Sequence, residues 1–173
     1  NKRMASYGLT NGLTYMFGAQ YAADFDRLLV LPSTLTAGIE YNHDHLNDKS
    51  GYREAPIDQR VNTKSAFLQN EWKDDRWSIL VGARLDKHSM VSRAILSPRL
   101  NLRFAPSKDF TLRASYSKGF RAPQLFDEDL HVDNAGGDLI VSRNAPGLRE
   151  ETSHSFSASI DWYHRFGVWQ LNL

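Results

Sequence analysis

The chain has 173 residues, the length of one domain, and 41% of them are hydrophobic. Its formal net charge of +1 gives no argument for nucleic acid or an acidic substrate, and with no cysteine there is no disulfide, zinc–thiolate site or thiol chemistry. No stretch approaches the roughly 18–20 consecutive apolar residues of a spanning helix, but a mean hydropathy of -0.50 leaves room for a membrane barrel, whose strands need only one apolar face.

The opening Asn1-Lys2-Arg3-Met4 has two positive charges and no apolar run behind it, which does not fit a signal peptide. After it, eight segments alternate with the period of two that gives a strand one apolar and one polar face. Tyr15, Phe17, Ala19 and Tyr21 oppose Thr14, Met16, Gly18 and Gln20. Leu35, Ala37, Ile39 and Tyr41 oppose Thr34, Thr36, Gly38 and Glu40. From Ser65 to Trp72 the pattern is weakest, because Ala66, Leu68 and Trp72 share their face with Asn70. Ile79, Val81, Ala83 and Leu85 then face away from Gly82, Arg84 and Asp86. The next two are the cleanest: Leu100, Leu102 and Phe104 against Arg99, Asn101 and Arg103, then Phe110, Leu112, Ala114 and Tyr116 against Thr111, Arg113, Ser115 and Ser117. Phe156, Ala158, Ile160 and Trp162 oppose serines and Asp161, and an eighth segment begins with Trp169, Leu171 and Leu173. Ending inside an alternating pattern, the chain reads as a piece of something longer.

Alternation alone fits a soluble sandwich as well as a barrel. The connections separate the two readings. Short turns at 73–76, 105–109 and 164–167 alternate with long ones at 42–62, 87–95 and 118–151, the short-inside, long-outside layout of outer-membrane barrels. The connection at 24–33 departs from this, and its Leu28-Leu29-Val30-Leu31 run has no assigned role. Aromatics gather at the short turns: Trp72 and Trp77, Phe104 and Phe110, Trp162 and Trp169. That placement matches a headgroup-level girdle, although cross-strand pairing would also favour it. Arg84, Arg99, Arg103 and Arg113 on the opposite face are too many guanidiniums for a small dry core, and they suit a wide lumen filled by something else. The expected fold is all-β, an antiparallel meander of about eight strands forming a segment of a larger transmembrane barrel.

The run Ser97-Pro98-Arg99-Leu100-Asn101-Leu102-Arg103-Phe104, followed by Leu112-Arg113-Ala114-Ser115-Tyr116-Ser117-Lys118-Gly119-Phe120-Arg121-Ala122-Pro123, resembles the barrel of TonB-dependent receptors. Phe67-Leu68-Gln69-Asn70-Glu71-Trp72 and Gly82-Ala83-Arg84-Leu85-Asp86 resemble its preceding strand pair, and Asp127-Glu128-Asp129-Leu130-His131 is similar to the form found in Bacteroidetes. The resemblance covers about residues 66–129. It implies a bacterial outer-membrane receptor with a larger barrel, an N-terminal plug and a TonB-contacting segment, taking up a siderophore, haem, cobalamin or similar nutrient. Residues 1–173 would then be a partial barrel, reaching TonB only through a plug that this sequence does not contain. Its other partners would be outer-membrane lipid and a small-molecule or metal-chelate substrate.

Candidate substrate contacts fall in the long connections. Arg121, Gln124, Asp127, Asp129 and His131 lie together, and a planar guanidinium suits an anionic ligand. Gly119-Phe120-Arg121-Ala122-Pro123 can equally shape a strand exit, with Pro123 ending the ladder. His43 and His45, two residues apart, can share a face toward a metal chelate, but no third ligand accompanies them, and the acidic run after Asp127 lacks calcium-loop spacing. No resident metal or cofactor is expected. No Gly-x-Ser-x-Gly elbow or phosphate-cradling glycine loop is present, so an enzyme is not expected. Two alternatives stay open: a complete eight-stranded barrel with a structural or adhesive role, and a soluble lipocalin-like barrel with its apolar face inward. An isolated piece of a larger barrel would leave two strand edges and an apolar face uncovered, and is expected to self-associate.

Overall fold

The computed structural model describes residues 8–29, 31–50, 56–123, 147–164 and 167–172. Its eight strands are β1 (Gly8–Leu28), β2 (Leu31–Ser50), β3 (Ile57–Lys73), β4 (Trp77–His88), β5 (Ile95–Ser107), β6 (Phe110–Arg121), β7 (Glu151–His164) and β8 (Gly167–Asn172). They form one antiparallel sheet in sequence order, each strand paired with the next. Among the described residues no ladder joins β1 to β8, so these eight strands do not close on themselves as the complete-barrel alternative requires.

The first seven alternating segments lie within strands, as does the eighth as far as Asn172, and the registers put the apolar residues of neighbouring strands on one face. Phe17 stands opposite Tyr41, Ala37 opposite Leu68, Val81 opposite Leu100, and Tyr116 opposite Phe156. Among the described residues nothing packs over this face: Phe17 is 68% exposed, Ile39 65%, Leu68 55% and Phe156 76%. The hydrophobic effect would not leave such a continuous apolar sheet in water, and a lipid chain environment removes the penalty. The lipocalin-like alternative also needs a closed barrel, and among the described residues no ladder closes this sheet. What core there is among the described residues sits elsewhere, as a small cluster of Val91, Ile95 and Ala122 with Phe120 packed against it.

Two connections differ from their sequence reading. The stretch 24–33 is not a loop: β1 runs to Leu28, β2 starts at Leu31, and Leu29 takes the left-handed conformation (φ 65°) of a tight hairpin. This turn joins the short-turn end of the sheet, and Trp72 Nε1 fastens it by donating to the Leu28 carbonyl at 2.9 Å. Leu28 and Leu31, paired across the ladder, with Leu29 between them, therefore belong to the hairpin. The stretch 42–62 is mostly strand, since β2 continues to Ser50 and β3 begins at Ile57. A tilted membrane strand needs about 9–11 residues. With 21, 20 and 17 residues, β1, β2 and β3 extend well beyond the bilayer on the long-loop side. The connection 89–94 is slightly shorter than the expected 87–95, and β6 runs to Arg121, three residues past Lys118, where the long connection was expected to begin.

The turn-side aromatics serve two purposes. Trp77 stacks on Phe104 of the neighbouring strand with ring centroids 4.1 Å apart, while Trp77 and Trp162 remain 36% and 49% exposed at the headgroup level. Cross-strand pairing and girdle are the same residues seen from two sides.

Candidate functional site

The polar face is the inner wall, and its charges are organised. Arg84 hydrogen-bonds Glu40 of β2 with two nitrogens, Nη2 to Oε1 at 2.9 Å and Nη1 to Oε2 at 3.3 Å. Its Nε donates to Asp86 Oδ1 at 2.8 Å, and Ser65 Oγ, which accepts from Arg84, donates to the same carboxylate oxygen at 2.6 Å. The four side chains come from β2, β3 and β4, and the strand register sets them side by side: Glu40 opposite Ser65, Ser65 opposite Asp86. Further along the wall Arg113 pairs with Asp161 of β7. Sequence reading identified the arginines but not their carboxylates, although Glu40, Asp86 and Asp161 already alternated with the apolar residues. Arg99 and Ser117 lie beside Phe67, Gln69 and Gly82 around an inward-facing hollow.

At the top of β6 the Gly119–Pro123 step is built from two opposed functions. Phe120 and Ala122 sit in the small cluster with Val91 and Ile95, with His88 edge-on to the Phe120 ring at 6.5 Å. They fix the strand exit, as the structural reading of this step anticipated. Arg121 between them is exposed, on the same strand face as Arg113, Ser115 and Ser117, with Glu151 opposite in register. The mouth of the wall thus presents a guanidinium whose neighbours on either side are anchored. Gln124, Asp127, Asp129 and His131 lie outside the described residues.

A latch closes this rim from the other direction. Arg93, in the connection between β4 and β5, pairs with Glu150, just before β7, with Nε 2.7 Å from Oε1. The Arg93 guanidinium holds the Glu150 carboxyl below its usual carboxylate range.

His43 and His45 lie in β2, not in a loop, and share the parity of Ile39 and Tyr41, which places them on the outer face above the apolar band. The ring of His43 stacks on Tyr15 at 4.8 Å and its Nδ1 is 2.7 Å from Asn62 Oδ1. His45 Nε2 lies 2.8 Å from Asp58, whose carboxyl it holds below the usual range. Each imidazole is therefore tied to β3, and the structure does not bring the pair to Arg121. The position of Tyr41, two residues earlier, was the signal in the sequence that assigned them this face.

The profile of the "TonB dependent receptor-like, beta-barrel" family matches residues 2–173. The iron-regulated outer membrane virulence protein of Vibrio cholerae is 31% identical over 136 residues, which covers 75% of this chain and 20% of that protein. A probable TonB-dependent siderophore receptor, PirA, of Acinetobacter baumannii is 29% identical over 136 residues, 68% of this chain and 17% of its own length. The chain thus spans about a fifth of the curated relatives it matches. Among solved structures, the siderophore receptor PirA of Pseudomonas aeruginosa superposes with a TM-score of 0.72 at 21% identity, over 94% of this chain and 30% of that one. A Pseudomonas aeruginosa ferric enterobactin receptor, PfeA, solved with enterobactin, gives 0.71 at 21% identity, over 93% and 26%. These structural likenesses bear on the fold. The Bacteroidetes-like form read at 127–131 lies outside the described residues.

Proposed function

Because this chain belongs to the TonB-dependent receptor-like β-barrel family of the outer membrane, a family of receptors rather than enzymes, we propose that it forms part of the wall of a receptor for active uptake of iron held by a siderophore. The relative from Vibrio cholerae is named as iron-regulated and that from Acinetobacter baumannii as a probable siderophore receptor, which favours iron chelates over the haem and cobalamin that the fold would also admit. The observation that carries the reading is the single family match across residues 2–173. Alongside it stands an inner wall studded with guanidiniums, with Arg121 at the mouth.

In this reading the uncovered inner wall faces a plug, and energy arrives through that plug from TonB. Arg121 meets the substrate, together with Gln124, Asp127, Asp129 and His131. A ferric siderophore bearing anionic oxygens suits a planar cation fixed by anchored neighbours, because little ordering entropy is left to lose on binding. On its own, the segment carries two strand edges and an apolar face, and it would associate with further copies. The test is growth of a siderophore-auxotrophic, receptor-deleted strain carrying the full-length receptor, with single ferric siderophores, haem or cobalamin supplied in turn. Rescue by one ferric siderophore supports the reading; rescue by haem or cobalamin alone overturns it.

A further inference from the structure

On the outer face the charge-free band stops at one level. Moving away from the short turns, β3 presents Trp72, Asn70, Leu68 and Ala66 and then Lys64. On β4, Trp77, Ile79, Val81, Ala83 and Leu85 are followed by Lys87, and on β6, Phe110, Leu112, Ala114 and Tyr116 are followed by Lys118. The ten residue-to-residue steps from Trp77 to Lys87 rise about 33 Å along a strand. Tilted by about 40°, that becomes roughly 25 Å, the height of the apolar band on such barrels. The lysines therefore sit where hydrocarbon gives way to headgroups on the long-loop side.

Two of them face each other. Lys64 is directly opposite Lys87 in the β3–β4 ladder, an arrangement that like charges disfavour. Lys87 turns its Nζ to the carbonyl oxygens of Val91 and Ser92, at 3.2 and 2.5 Å, and among the described residues neither lysine has a carboxylate partner. Lys64 also marks the meeting point of two hollows. One of about 720 Å³, mixed in character, is lined by Tyr41, Asn62, both lysines and the turn from Ser89 to Ser92. A mainly apolar one of about 550 Å³ shares Tyr41 and Lys64 with it and is lined also by Phe17, Ala19 and Ile39, with Glu40 and Ser65 as its other polar residues.

We propose that Lys64 and Lys87 bind the phosphate of a lipid headgroup in the long-loop-side leaflet, with an acyl chain of the same lipid lying in the apolar hollow. The anion relieves the repulsion between the lysines. Tyr41, which lines both hollows, donates its hydroxyl to Asn62 at 2.8 Å and keeps its ring along the chain. A soluble anion would use only the hollow that both lysines line, whereas a lipid with a phosphate and an acyl chain accounts for both hollows and for their position at the top of the band. The site is independent of what the receptor transports.

The experiment is native mass spectrometry of the full-length receptor in detergent, with dioleoyl phosphatidylglycerol or dioleoylglycerol, which has the same chains without the phosphate, added in turn. The phosphatidylglycerol is expected to be retained in preference. Lys64→Gln should weaken its retention about fivefold, the weight of one lysine at an anionic surface, while Lys64→Arg retains it. Lys118→Gln removes a charge at the same level but away from the hollows, and should leave retention unchanged. Equal retention of dioleoylglycerol, no effect of Lys64→Gln, an equal loss in Lys118→Gln, or full displacement of the lipid by millimolar inorganic phosphate would each overturn the proposal. Lys64→Arg and Lys118→Gln keep the test decisive even where Lys64→Gln fails to fold.

Discussion

Arg84 on β4 reaches across β3 to hold Glu40 on β2 through a two-nitrogen contact, with distances of 2.9 and 3.3 Å. The same guanidinium also serves Asp86, whose side chain is only 5% exposed. Arg84→Gln leaves that enclosed carboxylate without its cation. Breaking a fully buried pair costs about 3–5 kcal/mol, but Arg84 and Glu40 are 36% and 28% exposed and partly screened. The expected loss is therefore about 1–2 kcal/mol. Glu40→Gln, which leaves the Arg84–Asp86 contact in place, should cost less. Urea unfolding of the full-length barrel in micelles reads both, and a larger effect from Glu40→Gln would refute the assignment of Arg84 as the hub.

Gly38 lies beneath the ring of Phe67 on the neighbouring strand. A methyl group at Gly38 would overlap Phe67 Cζ and must displace the ring. Strand glycine is unfavourable by itself, and an aromatic ring laid over it recovers packing on a bent sheet. Gly38→Ala is expected to destabilise by about 1–3 kcal/mol in the Phe67 background and by much less in Phe67→Ala. A double-mutant cycle measures the difference. Additive effects would mean that the ring yields freely and the contact contributes nothing.

These two contacts mark what the sequence could and could not convey. Gly38, Glu40 and Arg84 were visible as members of polar faces, because within the bilayer each residue meets either lipid or the wall, and alternation records the choice. Which carboxylate meets which arginine depends on strand register, and register is set by turn geometry that composition only hints at. Beyond the bilayer both faces of a strand meet water, so β2 past Asn42 and β3 before Asn62 lose the alternating signature while their ladder continues. His43 and His45 therefore looked like loop residues. Leu28 and Leu31 were obscured for the opposite reason, since an apolar hairpin tip lacks the glycine or asparagine that normally announces a turn.

The Arg93–Glu150 latch should respond to acid. Glu150 is held below its ordinary value in the folded protein by the Arg93 hydrogen bond. A carboxyl depressed in this way contributes stability above its unfolded pKa and loses it as pH falls through the folded one. Hydrogen exchange across residues 89–94 should thus be slower in the parent than in Arg93→Gln at neutral pH. The two should converge once pH drops below the usual carboxylate range. A difference that persists unchanged in acid would show that the pair does not hold the connection.

Arg121 separates substrate contact from strand architecture. Ala122 is 8% exposed and Phe120 packs into the Val91–Ile95 cluster, so changes at either should disturb folding. Arg121 is exposed, and Arg121→Ala should leave thermal stability within about 0.5 kcal/mol. Loss of a charge-assisted contact would weaken binding of the ferric siderophore by about tenfold or more. Tryptophan quenching titrations on the full-length receptor measure this. Unchanged affinity together with intact folding would remove Arg121 from the substrate surface and leave this step an architectural one.

The assignment of lipid to the apolar face predicts opposite outcomes for adjacent residues on β7. Ala158 stands opposite Ala114 in the middle of the charge-free band, and Ser157 stands opposite Ser115 on the inner wall, their hydroxyl oxygens 2.6 Å apart. An arginine at mid-bilayer costs roughly 2–4 kcal/mol on the lipid face, so Ala158→Arg should be destabilising by that amount. Ser157→Arg loses one exposed hydroxyl contact and places its guanidinium in the hydrated lumen, at a cost below about 1 kcal/mol. Reversible folding of the full-length barrel into phospholipid vesicles can compare the two directly. If Ser157→Arg proved the more damaging, the inner and outer faces would have to be exchanged, and with them the placement of Arg121, Arg84 and the lysine ledge. A large cost at Ala158 alone would fix all three at once, because every strand in the sheet is linked to β7 through successive antiparallel ladders, whose register shifts, at Phe25–Leu28 and Phe104–Ser107, lie beside the short turns.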